Sequence, residues 1–160
     1  MKTIILTISI VVISAFSVLD FNSTVVAKEK SNKTVQFLNS ERSGLSDLPF
    51  SEAVRVGNTL YLSGKIGTDP STGKLVSGGI KAEARQTMRN IKSTLEAHGY
   101  QMSNLVKCTV MLADISEWKL FNSVYVTFFT KPYPARSAFG ANGLALNARV
   151  EVECIAAVGD

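Results

Sequence analysis

At Ile80 the hydrophobic period of this chain changes, and that change limits the architectures open to it. Ile80, Ala84, Met88, Ile91 and Leu95 recur at steps of three and four, which places them on one stripe of a helix. Lys81, Glu83, Arg85, Arg89, Lys92 and Glu96 fall largely elsewhere, and Gly99 is placed to stop the helix, with His98 in its last turn. Before the helix the pattern is that of strands. Residues 34–38 form a short strand, and residues 40–51 a turn-rich loop. Ala53-Val54-Arg55-Val56 and Thr59-Leu60-Tyr61-Leu62 flank a Gly57-Asn58 turn as a hairpin, whose second arm ends at Ser63-Gly64. Residues 67–79, with Asp69-Pro70 and Gly78-Gly79, are a loop.

After the helix, residues 105–112 are a β-branched, apolar strand. Asp114-Ile115-Ser116-Glu117 has the form of a capping box and opens a second helix to about Phe129, with Phe121, Val124, Tyr125 and Phe128 as its apolar face. Pro132 and Pro134 bar its continuation, and residues 137–141 and 149–158 supply the last strands. The economical packing is one α+β domain, a single sheet with both helices on one face. The sheet's second face must then meet water or another subunit.

A chain of 160 residues, 46% hydrophobic and 19% charged, holds one domain with a substantial core. Its net charge of +4 is scattered; Lys28, Lys30 and Lys33 are interrupted by Glu29, and no Arg-rich stripe interleaves with aromatics. Nucleic acid is therefore not an expected partner. The N-terminus differs in kind. Lys2 precedes an uncharged run over residues 4–19, Asp20 ends it, and Val25-Val26-Ala27 offers a small-residue exit. The run is shorter than the roughly 20 residues of a spanning helix. Residues 1–27 are expected to be a cleaved signal peptide, residues 28–33 a flexible lead-in and residues 34–158 the domain. The mature protein is expected in the periplasm or secreted, without stable membrane association.

The familiar catalytic signatures are missing. No Gly-x-Ser-x-Gly elbow or phosphate-cradling loop appears, and His98, at a helix end, reads as a structural residue and not a catalytic base. Cys108 and Cys154 match no zinc spacing and the single histidine, His98, cannot complete a site, so no metal is expected. Each cysteine lies in an apolar strand, and free core cysteines are favoured over a disulfide. Two features remain. Tyr133-Pro134-Ala135-Arg136-Ser137 sets an arginine between a rigid turn and a strand, where its planar fork suits a carboxylate. Arg149-Val150-Glu151-Val152-Glu153-Cys154 alternates, so Glu151 and Glu153 share one face. From the pattern alone, those glutamates are a polar strand face paired with Arg149 or lysines more often than a catalytic pair.

Ser63-Gly64, the run from Phe121 through Asn122 to Phe129, Pro134-Ala135-Arg136-Ser137 and Val150-Glu151-Val152-Glu153 together resemble the ordered motifs of the RidA (YjgF) family. That resemblance implies a chorismate-mutase-like fold, a homotrimer with clefts between subunits, and hydrolysis of reactive 2-enamine and 2-imine acids to 2-keto acids and ammonia. It implies that Arg136 clamps the substrate carboxylate and Glu151 positions or deprotonates the attacking water. It also implies that the Gly64 N–H helps hold the carboxylate, with Ser63, Asn122, Phe50 and Ala138 lining the cleft. Relatives often carry Tyr and Cys where Phe50 and Ala138 stand, and Gln and Pro at Lys65 and Gly67. The alternative reading is a non-catalytic trimer that binds small carboxylic acids or protects under stress. A ribonuclease role has been attached to relatives, but no nuclease chemistry is legible here. Mass analysis of protein from its native host should find the N-terminus at or near Lys28; an intact Met1 in the soluble fraction would contradict the signal assignment.

Overall fold

A computed structural model describes residues 34–40 and 48–159; the expected signal peptide and lead-in lie outside them. The described residues form β1 (Val35–Leu38), β2 (Ala53–Val56), β3 (Thr59–Ile66), α1 (Gly79–Ala97), β4 (Leu105–Leu112), α2 (Trp118–Tyr125), β5 (Ala135–Gly140) and β6 (Val150–Ala157). The strands make one six-stranded sheet in the order β1-β2-β3-β6-β4-β5. Neighbours are antiparallel except β4 and β5, which are parallel and joined through α2. A parallel pair needs such a crossover, because a tight turn cannot return the chain in the same direction.

The α1 stripe read from sequence packs as expected. Ile80, Ala84, Met88, Ile91 and Leu95 are buried with Leu60, Leu62, Val110, Leu112, Val150 and Val152 of the sheet and Phe121, Val124 and Tyr125 of α2. Gly99 ends α1 at a φ of 81°, a conformation costly for residues with a Cβ. This turns the chain so that the Tyr100 N–H reaches the Leu95 carbonyl at 2.8 Å. His98 caps α1, as the sequence suggests, with Nε2 3.3 Å from Glu52 Oε2. Glu52 also accepts from the Ser40 N–H at 2.9 Å and pairs with Lys65 at 3.7 Å. Burial works to raise the Glu52 carboxyl. The Ser40 N–H, Lys65 and His98 outweigh it and hold the group below its ordinary value.

Four expectations need correction. The hairpin's second arm does not end at Ser63-Gly64: β3 runs to Ile66 through a bulge between Leu62 and Lys65, which lets it keep pairing with β6. The capping box is incomplete. Asp114 accepts from the Ser116 N–H at 2.9 Å, but Glu117 is drawn away to the Arg149 guanidinium. A 3₁₀ turn over Ile115–Glu117 therefore precedes α2, which ends at Tyr125 and gives way to a second 3₁₀ turn over Val126–Phe128. Because Arg149 is held by Glu117, it is also not the partner of Glu151 and Glu153 expected from the alternation.

The cysteines are the fourth. Cys108 and Cys154 form a disulfide. They are register partners on adjacent antiparallel strands, with both side chains turned toward the helices and their Cα atoms 4.1 Å apart. Burial in an apolar run and disulfide pairing are compatible here, because the pairing was set by a strand register that spacing cannot reveal. Denatured protein prepared without reductant should show no free thiol. Replacing both cysteines with alanine should lower stability by about 4 kcal/mol, the loop-closure value for a link of this span, read from urea unfolding.

Candidate functional site

Strand β6 alternates strictly in space as in sequence. Val150, Val152, Cys154 and Ala156 are buried against the helices, and Glu151 and Glu153 point to the opposite face. Across β4 the same face assignment carries to β5. Cys108 is in register with Arg136 and Val110 with Ala138, so Arg136 and Ala138 lie on the helix side of the sheet. Within one protomer, then, Arg136 and Glu151 stand on opposite faces.

On the helix side, Arg136 is held by stacking. Its Cζ lies 4.6 Å from the Tyr125 ring centroid, 5.8 Å from that of Phe121 and 6.0 Å from that of Trp118. Contacts of this kind contribute about 0.5–2 kcal/mol each and consume none of the guanidinium's N–H donors. They leave its N–H edge available, and among the described residues no ion pair takes it up. Trp118, Phe121, Asn122 and Tyr125 follow the three- and four-residue steps of α2, so Asn122 shares the stripe that faces the arginine. Asn122 Oδ1 and Tyr125 Oη are buried without a hydrogen-bond partner, which is costly in a dry site. Burial pushes the Tyr125 hydroxyl up in pKa, against the pull of Arg136. A depression of about 390 Å³ opens here, lined by Ile115, Trp118, Arg136 and Ala138.

On the opposite face, Gly64 and Glu151 meet. A Cβ on Gly64 would lie 1.9 Å from Glu151 Oε1, so the carboxylate occupies the space that glycine leaves. Ser63 serves the backbone: its Oγ donates to the Ser51 carbonyl at 2.6 Å and its N–H to the Glu52 carbonyl at 3.0 Å. Phe50 is half-exposed nearby in sequence and is not part of the hydrophobic core. Burial first, and the neighbouring Glu153 charge second, raise the Glu151 carboxyl above its ordinary value. Such a group keeps its proton longer and is a better base once it has lost it. The structure thus gathers Gly64 with Glu151, and Arg136 with Asn122 and Ala138, but does not join the two sets within one chain. Sequence reading missed Trp118 and Ile115. Their signal was faint: Trp118 is the chain's single tryptophan and sits one helical turn before Asn122.

The profile of the family described as endoribonuclease L-PSP matches residues 43–158. A human protein named 2-iminobutanoate/2-iminopropanoate deaminase is 44% identical over 111 residues, 69% of this chain and 81% of its own. The chain belongs to the RidA/L-PSP family. Among solved members, a yeast protein superposes with a TM-score of 0.74 at 37% identity, covering 79% of this chain and 100% of that one. RidA from an Antarctic Psychrobacter gives 0.72 at 38%, covering 77% and 99%. The mixed sheet with two helices expected from the sequence is the fold of these RidA/L-PSP structures.

The raised Glu151 carboxyl has a thermodynamic signature. Its contribution to stability is fully present below the ordinary value of 4.5 and is lost as pH rises through the higher folded value. Glu151→Gln removes that dependence. The melting temperature of Glu151→Gln relative to wild type should therefore climb as pH rises from about 4 and level off once Glu151 is ionised in the folded protein; a flat difference contradicts the shift.

Proposed function

We propose that this protein hydrolyses reactive 2-enamine and 2-imine acids to 2-keto acids and ammonia, in clefts where Arg136 of one copy faces Glu151 and Gly64 of another. The observation that carries this reading is the Arg136 guanidinium, lying within 6.0 Å of three ring centroids and with no ion pair among the described residues to occupy its donors. That edge fits a carboxylate in two charge-assisted hydrogen bonds. The human relative's name supplies the substrate class.

The chemistry asks little beyond this. An enamine acid takes a proton at its β-carbon to become the iminium form of the imine. Glu151 accepts a proton from water as the oxygen bonds to the C2 carbon and the C=N π pair moves to nitrogen, giving a neutral carbinolamine. The carboxyl returns that proton to the nitrogen, the C–N bond breaks with its electron pair on the leaving ammonia, and Glu151 takes the hydroxyl proton as the C=O bond of the 2-keto acid forms. The imine carbon is already electrophilic, so orientation of water and substrate supplies the acceleration. No cofactor is called for.

Assembly as a homotrimer is part of the proposal. The face that carries Glu151 also carries Phe37, Tyr61 and Phe139, each about half-exposed or more, which a second copy would cover. Export is proposed as well. The uncharged run at residues 4–19 supports it, and so does the Cys108–Cys154 disulfide, since such bonds persist in oxidising compartments. A non-catalytic carboxylate binder is favoured by two features, the absence of a hydroxyl at Phe50 and of a thiol at Ala138.

Light scattering on the mature protein should report about three protomer masses; a monodisperse monomer at micromolar concentration contradicts the shared cleft. Arg136→Ala should cut kcat/KM for freshly generated 2-aminoacrylate by at least about tenfold, with little rescue by Arg136→Lys. Glu151→Gln should lower turnover while 2-keto acid binding persists. A binding protein instead shows no imine loss in wild type and only the Arg136→Ala binding defect.

A further inference from the structure

The depression beside Arg136 has a floor and walls that play no part in holding a carboxylate. After Arg136, the helix-facing positions of β5 are Ala138 and Gly140, each step of two residues advancing about 7 Å. Both are small, so the floor is low. Ile115 stands over its far end, where a Cβ on Gly140 would lie 3.4 Å from the Ile115 Cβ. Trp118 forms the side. Ile115 is 50% exposed and Trp118 41% exposed, two large apolar side chains left to water beside a fixed charge. A space of about 390 Å³ falls within the range of pockets that hold small organic ligands, and it exceeds what a propanoate imine fills.

An imino acid bound by its carboxylate constrains where its own side chain goes. The first side-chain carbon lies two bonds from the carboxylate carbon, about 2.5 Å away, so it cannot leave the neighbourhood of Arg136. Carboxylate, nitrogen and side chain are coplanar around C2, and Glu151 brings water to one face of that plane. Of the two in-plane directions left at C2, the one over Ala138 toward Ile115 and the Trp118 ring is apolar, which suits the side chain and not the nitrogen.

We propose that Ile115, Trp118 and Ala138 form a side-chain subsite that selects 2-imino acids with branched aliphatic or aromatic side chains over the propanoate and butanoate imines. The inference rests on the imine-hydrolysis reading above and sharpens its substrate class. A fitted apolar pocket discriminates by about tenfold or more per methylene, enough to set a preference. Ala138 keeps the floor open, and Trp118 supplies a flat apolar surface at little entropic cost.

The test compares wild type, Trp118→Ala and Ile115→Ala with imines generated in place from alanine and leucine by an amino-acid oxidase. In parallel, pyruvate and 4-methyl-2-oxopentanoate are titrated calorimetrically against the same proteins. Wild type should favour the leucine-derived imine, and Trp118→Ala should lower the leucine-to-alanine ratio of kcat/KM by about tenfold. Ile115→Ala should move it the same way. The ratio of keto-acid Kd values should follow. Ratios unchanged in both variants, or a wild type that prefers the alanine-derived imine, overturn the subsite. A wild type that hydrolyses neither imine counts against the deaminase reading alone, and the Kd ratios then decide the subsite.

Discussion

The pairing of β6 with β3 on one side and β4 on the other is the contact on which the remaining structure depends. Its period of two puts Val150, Val152, Cys154 and Ala156 into the core while Glu151 and Glu153 stay outside it. A slip of one residue would bury two carboxylates and expose the core set, so the register is strongly specified by burial alone. The disulfide reinforces it at Cys154 and Cys108. From that row the placement passes to β5, because Arg136 is in register with Cys108. The arginine, the disulfide and the glutamate strand are thus parts of one lattice of backbone hydrogen bonds. No loop has to place Arg136 or Glu151, and side chains on strands are held more precisely than those on loops.

What the sequence told, and what it withheld, divides by range. The α1 stripe and the β6 alternation are local patterns, each decided within a few turns or a few residues, and both appear in the structure where they were read. The hairpin around Gly57-Asn58 is local too. The disulfide was hidden because its partners meet only through the β4–β6 register, which no spacing rule encodes. Glu117 looked like half of a capping box because Arg149, distant in sequence, was not in view as a competitor. The end of β3 was misjudged because Ser63-Gly64 reads as a stop, whereas a bulge absorbs it. The site shows the same division. The motifs carrying Arg136 and Glu151 were legible, but β5 has no apolar alternation from which the face of Arg136 could be told. Ile115 and Trp118 become neighbours of that arginine only once α2 has folded back over the edge strand.

Two electrostatic arrangements differ in kind. At Glu52, hydrogen bonds and opposite charge overcome burial, and the carboxyl is held ionised as a tie between β2, β3 and the end of α1. At Glu151, within one protomer, burial and a like charge act together and raise the carboxyl, with no opposite charge among the described residues of the same chain to offset them. The first pattern is what a scaffold does with a buried acid, and the second suits the role of base proposed for Glu151. Lys65 shows the cost of the scaffold arrangement, since burial lowers its pKa even against the pull of Glu52.

The placement of Arg136 and Glu151 on opposite faces also has a genetic consequence. In the homotrimer proposed above, each cleft would draw its arginine from one chain and its glutamate from the neighbour. A chain defective at Arg136 would then spoil the cleft on one of its sides and still lend a sound Glu151 to the other. Alleles damaged at these two positions would complement each other within mixed assemblies, although neither supports a single intact cleft by itself. Heterozygous loss would be graded and not dominant, with the number of working clefts tracking the mixture of chains.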